Sequence, residues 1–157
     1  MADELSTDDA SRAALDAFRA RHGKAGASGA ALRAGAPARV VRLDQLQRCY
    51  FLVPILDASG LRGIVQLDAQ TGEEETSAQI KDPSSAFLLP AAAALESARQ
   101  ARPDVRDWAA PYLGWRPCKE SFNSLRPLWV VPHGSRASYV DQSGRAFDEL
   151  TVSGRGG

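Results

Sequence analysis

Arg48-Cys49-Tyr50-Phe51-Leu52-Val53-Pro54-Ile55-Leu56, then Asp57-Ala58-Ser59-Gly60, then Leu61-Arg62-Gly63-Ile64-Val65-Gln66-Leu67-Asp68, reads as two apolar strands joined by a turn. Asp, Ser and Gly supply the turn chemistry, and β-branched and aromatic residues supply the flanking strands. Pro54 removes one ladder donor, so its strand is expected at an edge or bulged near its end. Beyond the second strand comes Asp68-Ala69-Gln70-Thr71-Gly72-Glu73. There Asp68 can accept backbone N–H groups and Gly72 can take a positive φ.

The pattern returns downstream. Leu128-Trp129-Val130-Val131-Pro132 precedes a shorter turn at His133-Gly134-Ser135. Ala137-Ser138-Tyr139-Val140 follows, then Asp141-Gln142-Ser143-Gly144-Arg145. Each copy is a strand ending in Val-Pro, a hairpin, a second strand, then Asp and a glycine turn. Further strands are expected at 38–43 and 146–152.

Each copy also follows a helical stretch. Residues 6–22 open on Ser6 or Thr7 as cap, carry Asp8 and Asp9 in the first turn, and close on Arg19, Arg21, His22 and Gly23, as helix termini favour. Ala14, Leu15 and Phe18 make a narrow apolar stripe. In the second stretch, Asp82-Pro83 is a candidate helix start. Phe87, Leu88, Ala91, Ala92, Leu95 and Ala98 recur at helical intervals up to Ala101. Pro90 would cost roughly 3 kcal/mol inside a helix, so the regular helix is expected from about that residue. Arg102-Pro103 ends it.

These readings give an α+β fold: two helix-plus-antiparallel-sheet units packed into one body. The first unit is expected over 6–82, with a mobile glycine-rich loop at 23–37. The second is expected over 83–152. A disordered N-terminus (1–5) and a flexible tail (153–157) flank them.

The strand running into Asp68-Ala69-Gln70-Thr71-Gly72-Glu73 resembles PepSY-type domains, which pair a helix with an antiparallel hairpin (a PepSY/cystatin-like arrangement). The resemblance covers roughly residues 45–75, and residues 126–150 less fully. Asp141–Arg145 is one residue shorter and lacks the threonine. It implies a small module that binds or regulates a partner and carries no catalytic residues. Members of that family are mostly extracytoplasmic.

Composition narrows the function classes. The 157 residues carry 19 basic and 19 acidic side chains, so no net positive charge draws the chain to nucleic acid. Alanine supplies 27 of the apolar residues, which leaves the large core formers in short blocks. No apolar run reaches the ~18–20 residues of a membrane helix. The acidic start Met1-Ala2-Asp3-Glu4-Leu5 lacks a secretory layout, so the cytoplasm is the expected compartment. Two Cys and two His do not give the paired spacing of a zinc site. Neither a metal nor a cofactor is expected, and reduced thiols are expected at Cys49 and Cys118.

The densest unusual stretch runs from Trp115 to Trp129. Trp115, Arg116, Cys118, Glu120, Ser121 and Phe122 form the candidate partner-binding set. Aromatic and Arg side chains anchor interfaces, while Glu120, Ser121 and Asn123 direct polar contacts. The alternative is that the two Trp and Phe122 fill the core. The expected partner is a protein or peptide, or a second copy, held at a sheet edge beside this loop. Pro54 and Pro132 would each blunt one edge.

An alternative function is a small enzyme or carrier. Cys118 would need a base or cation such as His133, Lys119 or Arg116 to lower its pKa. The C-terminal Gly156-Gly157 resembles the tail of ubiquitin-like proteins, which implies conjugation or sulfur transfer. Ser121 lacks a Gly-x-Ser-x-Gly elbow, Glu73-Glu74-Glu75 reads as a solvated charge run, and Lys24 stands outside a phosphate-loop frame.

Overall fold

The computed structural model describes residues 3–23, 31–45 and 47–152. The elements run α1 (Thr7–His22), β1 (Arg33–Ala34), β2 (Ala38–Arg42), β3 (Cys49–Asp57), β4 (Gly60–Asp68) and β5 (Glu74–Gln79). Then follow α2 (Ala91–Ala101), β6 (Tyr112–Trp115), β7 (Leu128–His133), β8 (Arg136–Val140) and β9 (Ala146–Phe147). The fold is α+β; β2–β6 is a parallel pair, and β1–β3, β3–β4, β4–β5, β6–β7, β7–β8 and β8–β9 are antiparallel. Two compact units result: Met1–Arg39 with Gln47–Phe87, and Val40–Leu46 with Leu88–Gly157. Of the loop expected over 23–37, residues 24–30 lie outside the described residues, as does the tail 153–157, while Arg33–Ala34 within that loop form β1 rather than mobile loop.

In the first unit, local chemistry starts and stops α1. Ser6 Oγ accepts from Asp9 N–H at 3.1 Å, satisfying one of the free donors at the helix start. Gly23, at φ 86°, ends the helix by donating its N–H to Arg19 O. Ala10, Ala14 and Phe18 are buried against Phe51, Val53, Ile55, Val65 and Leu67 of β3 and β4. Burying each of these larger aliphatic side chains stabilises by about 1.5–3 kcal/mol. The small alanines bring the helix close to the sheet, and Phe18 lies over Gly63, where a Cβ would collide with its ring.

β3 pairs with β4 along its length and with β1 at Ile55 and Leu56. Pro54 therefore sits in a strand with neighbours on both sides at this end. The ladder accommodates the region by a register shift between Ile55 and Leu56. β5 pairs with β4 through residues 74–79, a strand not expected from its polar sequence.

The second unit orders its strands β2–β6–β7–β8–β9. Ala94 and Ala98 of α2 pack on Val131 and Val140. The helix begins only at Ala91, with Pro90 as its N-cap. Asp82 caps no helix. Its Oδ1 accepts from Ser84 N–H at 3.0 Å and from Ser84 Oγ at 2.7 Å, closing a turn. The strand expected over 146–152 is confined to Ala146–Phe147, and Val152 instead bridges to Cys118.

The hairpins of the two units share the offset from the Val-Pro pairs to the closing turn, and that turn's chemistry. Val53 faces Val65 and Pro54 faces Ile64, while Val131 faces Ser138 and Pro132 faces Ala137. In each, an aspartate lies three residues beyond the partner of the valine. Asp68 N–H donates to Glu73 O, and Asp141 N–H donates to Arg145 O, both at 2.9 Å. Asp68 Oδ1 accepts from the N–H of Gln70 and Thr71, and Asp141 Oδ1 from the N–H of Ser143 and Arg145. Gly72 and Gly144 hold positive φ values of 73° and 89°, which favour glycine.

Candidate functional site

The loop 116–127 connects β6 to β7 in the second unit. β6 lies between β2 and β7, and β7 between β6 and β8. The loop thus leaves from inner strands.

Trp115 closes β6 and is 7% exposed. Arg42, its register partner on β2, holds its guanidinium 5.1 Å from the indole centroid. That distance suits a cation–π contact. Leu43 N–H donates to Trp115 O at 2.9 Å. The indole Nε1–H and the adjacent Arg116 Nε are buried without a hydrogen-bond partner.

Cys118 is fully buried. Its thiol donates to Ser121 O at 3.7 Å. Burial pushes the thiol pKa up, and the neighbouring Glu120 carboxylate adds to the rise. Glu120 points its carboxylate at Thr151, accepting from the backbone N–H at 2.9 Å and from Oγ1 at 2.8 Å. Burial opposes the charge on Glu120, but these bonds outweigh it and hold the carboxyl below its ordinary pKa. Ser121 Oγ donates to Arg126 O at 2.7 Å. Asn123 Oδ1 accepts from Leu125 N–H at 2.9 Å. Each of these bonds fixes the loop to itself or to residue 151.

Phe122 does the opposite and stands 77% exposed. Beside it lies a groove of about 440 Å³ bordered by Asn123, Arg126, Asp141, Gln142 and Ser143. The six candidate residues therefore separate. Phe122 faces outward, and Glu120 lines the groove. Trp115 and Cys118 are buried, and Ser121, also largely buried, lines the groove with Glu120. Arg116 is half-buried, with its Nε enclosed.

Gln142 is a positioning residue that its sequence does not single out. Its Oε1 accepts from Leu89 N–H at 2.7 Å, and its Nε2 donates to Pro127 O at 2.7 Å. It thereby ties the end of the loop to the approach of α2. Trp129 Nε1–H donates to Leu89 O at 2.8 Å and reinforces the same junction.

The geometry does not assemble a thiol nucleophile. His133 bonds Ser138 Oγ through Nε2 at 3.2 Å and meets Trp108 edge-on at 4.8 Å. Cys118 faces Ser121 and an anionic carboxylate, which disfavours the thiolate. Cys49 is likewise free, with a pKa raised by burial in the first place. Arg39, held by Glu4 at 2.7 and 2.8 Å, acts against that rise. Cys49 is the more accessible of the two. Brief iodoacetamide treatment of the native protein should label Cys49 first, and Cys118 more than about tenfold more slowly. Faster labelling of Cys118, read by peptide mass spectrometry, would contradict this geometry.

Among the described residues no group of three or more His, Cys, Asp or Glu is placed to hold a metal ion. Among the same residues no helix is long and apolar enough to cross a membrane. Compared with protein-family models, curated proteins and solved structures, the chain finds no match in any of the three.

Proposed function

We propose that this chain is a non-enzymatic binding or regulatory module that recognises a protein or peptide partner through the β6–β7 loop, with Phe122 as anchor. The observation that carries this reading is one side chain: a phenylalanine 77% exposed on a loop otherwise fastened by hydrogen bonds. Leaving a large aromatic in water forgoes its burial energy. Holding it on a rigid loop reduces the ordering cost of binding. The groove next to it supplies the Arg126 guanidinium and the Asn123 amide for directional contacts.

The recurrent hairpin and Asp–Gly turn support a tandem, PepSY-like origin of the two units. In chain order each unit's Val-Pro strand follows another strand. The connection is 43–48 in the first case and 116–127 in the second. The extra length falls where binding residues commonly reside on a rigid scaffold.

Phe122→Ala tests the reading. Immobilised parent and variant are exposed to the same source lysate, and retained proteins are identified and titrated. A partner held by the parent should bind the variant about thirtyfold more weakly, since losing a central aromatic anchor costs about 2 kcal/mol. Self-association measured by sedimentation covers the case of a second copy. If the folded variant keeps every partner at parental affinity, Phe122 is not the anchor.

A further inference from the structure

We propose that the outer edge of β5 is a second interaction surface, which receives an extended, basic peptide segment as an added strand. β5 ends the strand order of its unit and is hydrogen-bonded to β4 alone. Its phase is fixed by the bond from Ile80 N–H to Arg62 O at 2.8 Å and by the pairs Gly63–Gln79, Ile64–Ala78, Val65–Ser77 and Gln66–Thr76. In an antiparallel ladder successive residues direct their backbone groups to opposite sides. Thr76, Ala78 and Ile80 therefore face β4, and the N–H and C=O of Ser77 and Gln79 face away. Among the described residues no backbone group bonds those of Ser77 or Gln79 on that side. The other terminal strand, β9, has two residues, too few to template a partner. β5 has six.

Charge selects the occupant. Glu73 and Glu75, at the start of the strand, are exposed and have no ion-pair partner among the described residues. Glu74 between them is held by Arg21 Nε at 2.8 Å. Lys81 follows the far end. The edge therefore offers outward donors and acceptors for main-chain pairing, and two unpaired carboxylates for basic side chains. Main-chain bonds give such added strands their affinity and flanking charges their selectivity. This surface belongs to the first unit, and Phe122 to the second.

The probe is an end-blocked peptide of about six residues, alternating valine and threonine with a lysine at each end, alongside its glutamate counterpart. The lysine peptide should bind the full chain at least about tenfold more tightly than the glutamate peptide, and the preference should fade with salt. Gln79→Pro removes an outward donor but no bond to β4. It should weaken binding about tenfold or more while the circular dichroism spectrum is kept. Phe122→Ala should bind the peptide like the parent. Amide exchange supplies a reading that needs no variant. Ser77 and Gln79 should exchange fast in the free chain and slow on peptide addition, with Thr76, Ala78 and Ile80 protected throughout. Four results would each overturn the proposal: Ser77 and Gln79 protected in the free chain; a folded Gln79→Pro binding like the parent; peptide binding lost in Phe122→Ala; or a dimer that Gln79→Pro splits, which would put a second copy on this edge.

Discussion

Trp115→Ala should lower stability by about 3–5 kcal/mol, the range for deleting a buried aromatic. In a chain of this size that is a fall in melting temperature of about 6–20 °C. The ring is 93% enclosed, closes β6 and lies under the Arg42 guanidinium, so its loss leaves a cavity and an unsupported cation. Phe122→Ala, seven residues further along the chain, should move stability by less than about 0.5 kcal/mol, because little of its surface is removed from water. Trp115→Phe should recover most of the loss, since it keeps a packed ring and removes an indole N–H that has no partner. Thermal melts of the three variants separate scaffold from contact. An unchanged melt for Trp115→Ala would remove the structural assignment of this residue.

Gly60→Ala should cost about 3 kcal/mol or more. Gly60 opens β4 at φ 132°, a conformation that side-chain-bearing residues rarely adopt. A Cβ there would overlap the carbonyl oxygen of Pro83, which already accepts from Leu61 N–H at 3.1 Å. The obstacle is backbone, so no rotamer change relieves it, and either the turn or the 82–85 segment must shift. Gly23→Ala is the control: φ is 86°, but nothing lies within 4 Å of the added carbon. With ψ at 165° it lies in a region essentially reserved for glycine, so it should cost only that conformational penalty of about 1–3 kcal/mol, with no collision added. Equal melting temperatures for the two variants would show that the 82–85 segment yields freely.

What could be read from sequence follows the range of the forces involved. α1 carries its signals within itself, in Ser6, Asp8, Asp9 and Gly23, so its limits are legible. Both hairpins are legible for the same reason: Val-Pro, the turn residues and the Asp–Gly close are local. β5 is hidden because Glu74-Glu75-Thr76-Ser77-Ala78-Gln79 has no apolar alternation, and the β4 ladder makes it a strand. At the candidate site, Trp115 at the end of β6 and Phe122 on the loop that follows are both aromatic. Only the tertiary setting turns one inward and the other out. The Gln142 clamp joins residues 53 and 15 positions away, and nothing in the string Asp141-Gln142-Ser143 marks it.

The excursion of residues 40–46 into the second unit has a consequence for synthesis. Val40 precedes its β6 partner Leu113 by 73 positions. At about 5–20 residues per second, a ribosome takes roughly 4–15 s to supply that partner. During this interval helix α1 and the β3–β4–β5 meander can assemble from neighbouring sequence, while the side of β2 that meets β6 waits for a strand not yet made. Closing so long a loop is the slow, entropically costly step. Severing the chain between Phe87 and Leu88 would likewise part β2 from β6, since β2 would stay with the first fragment.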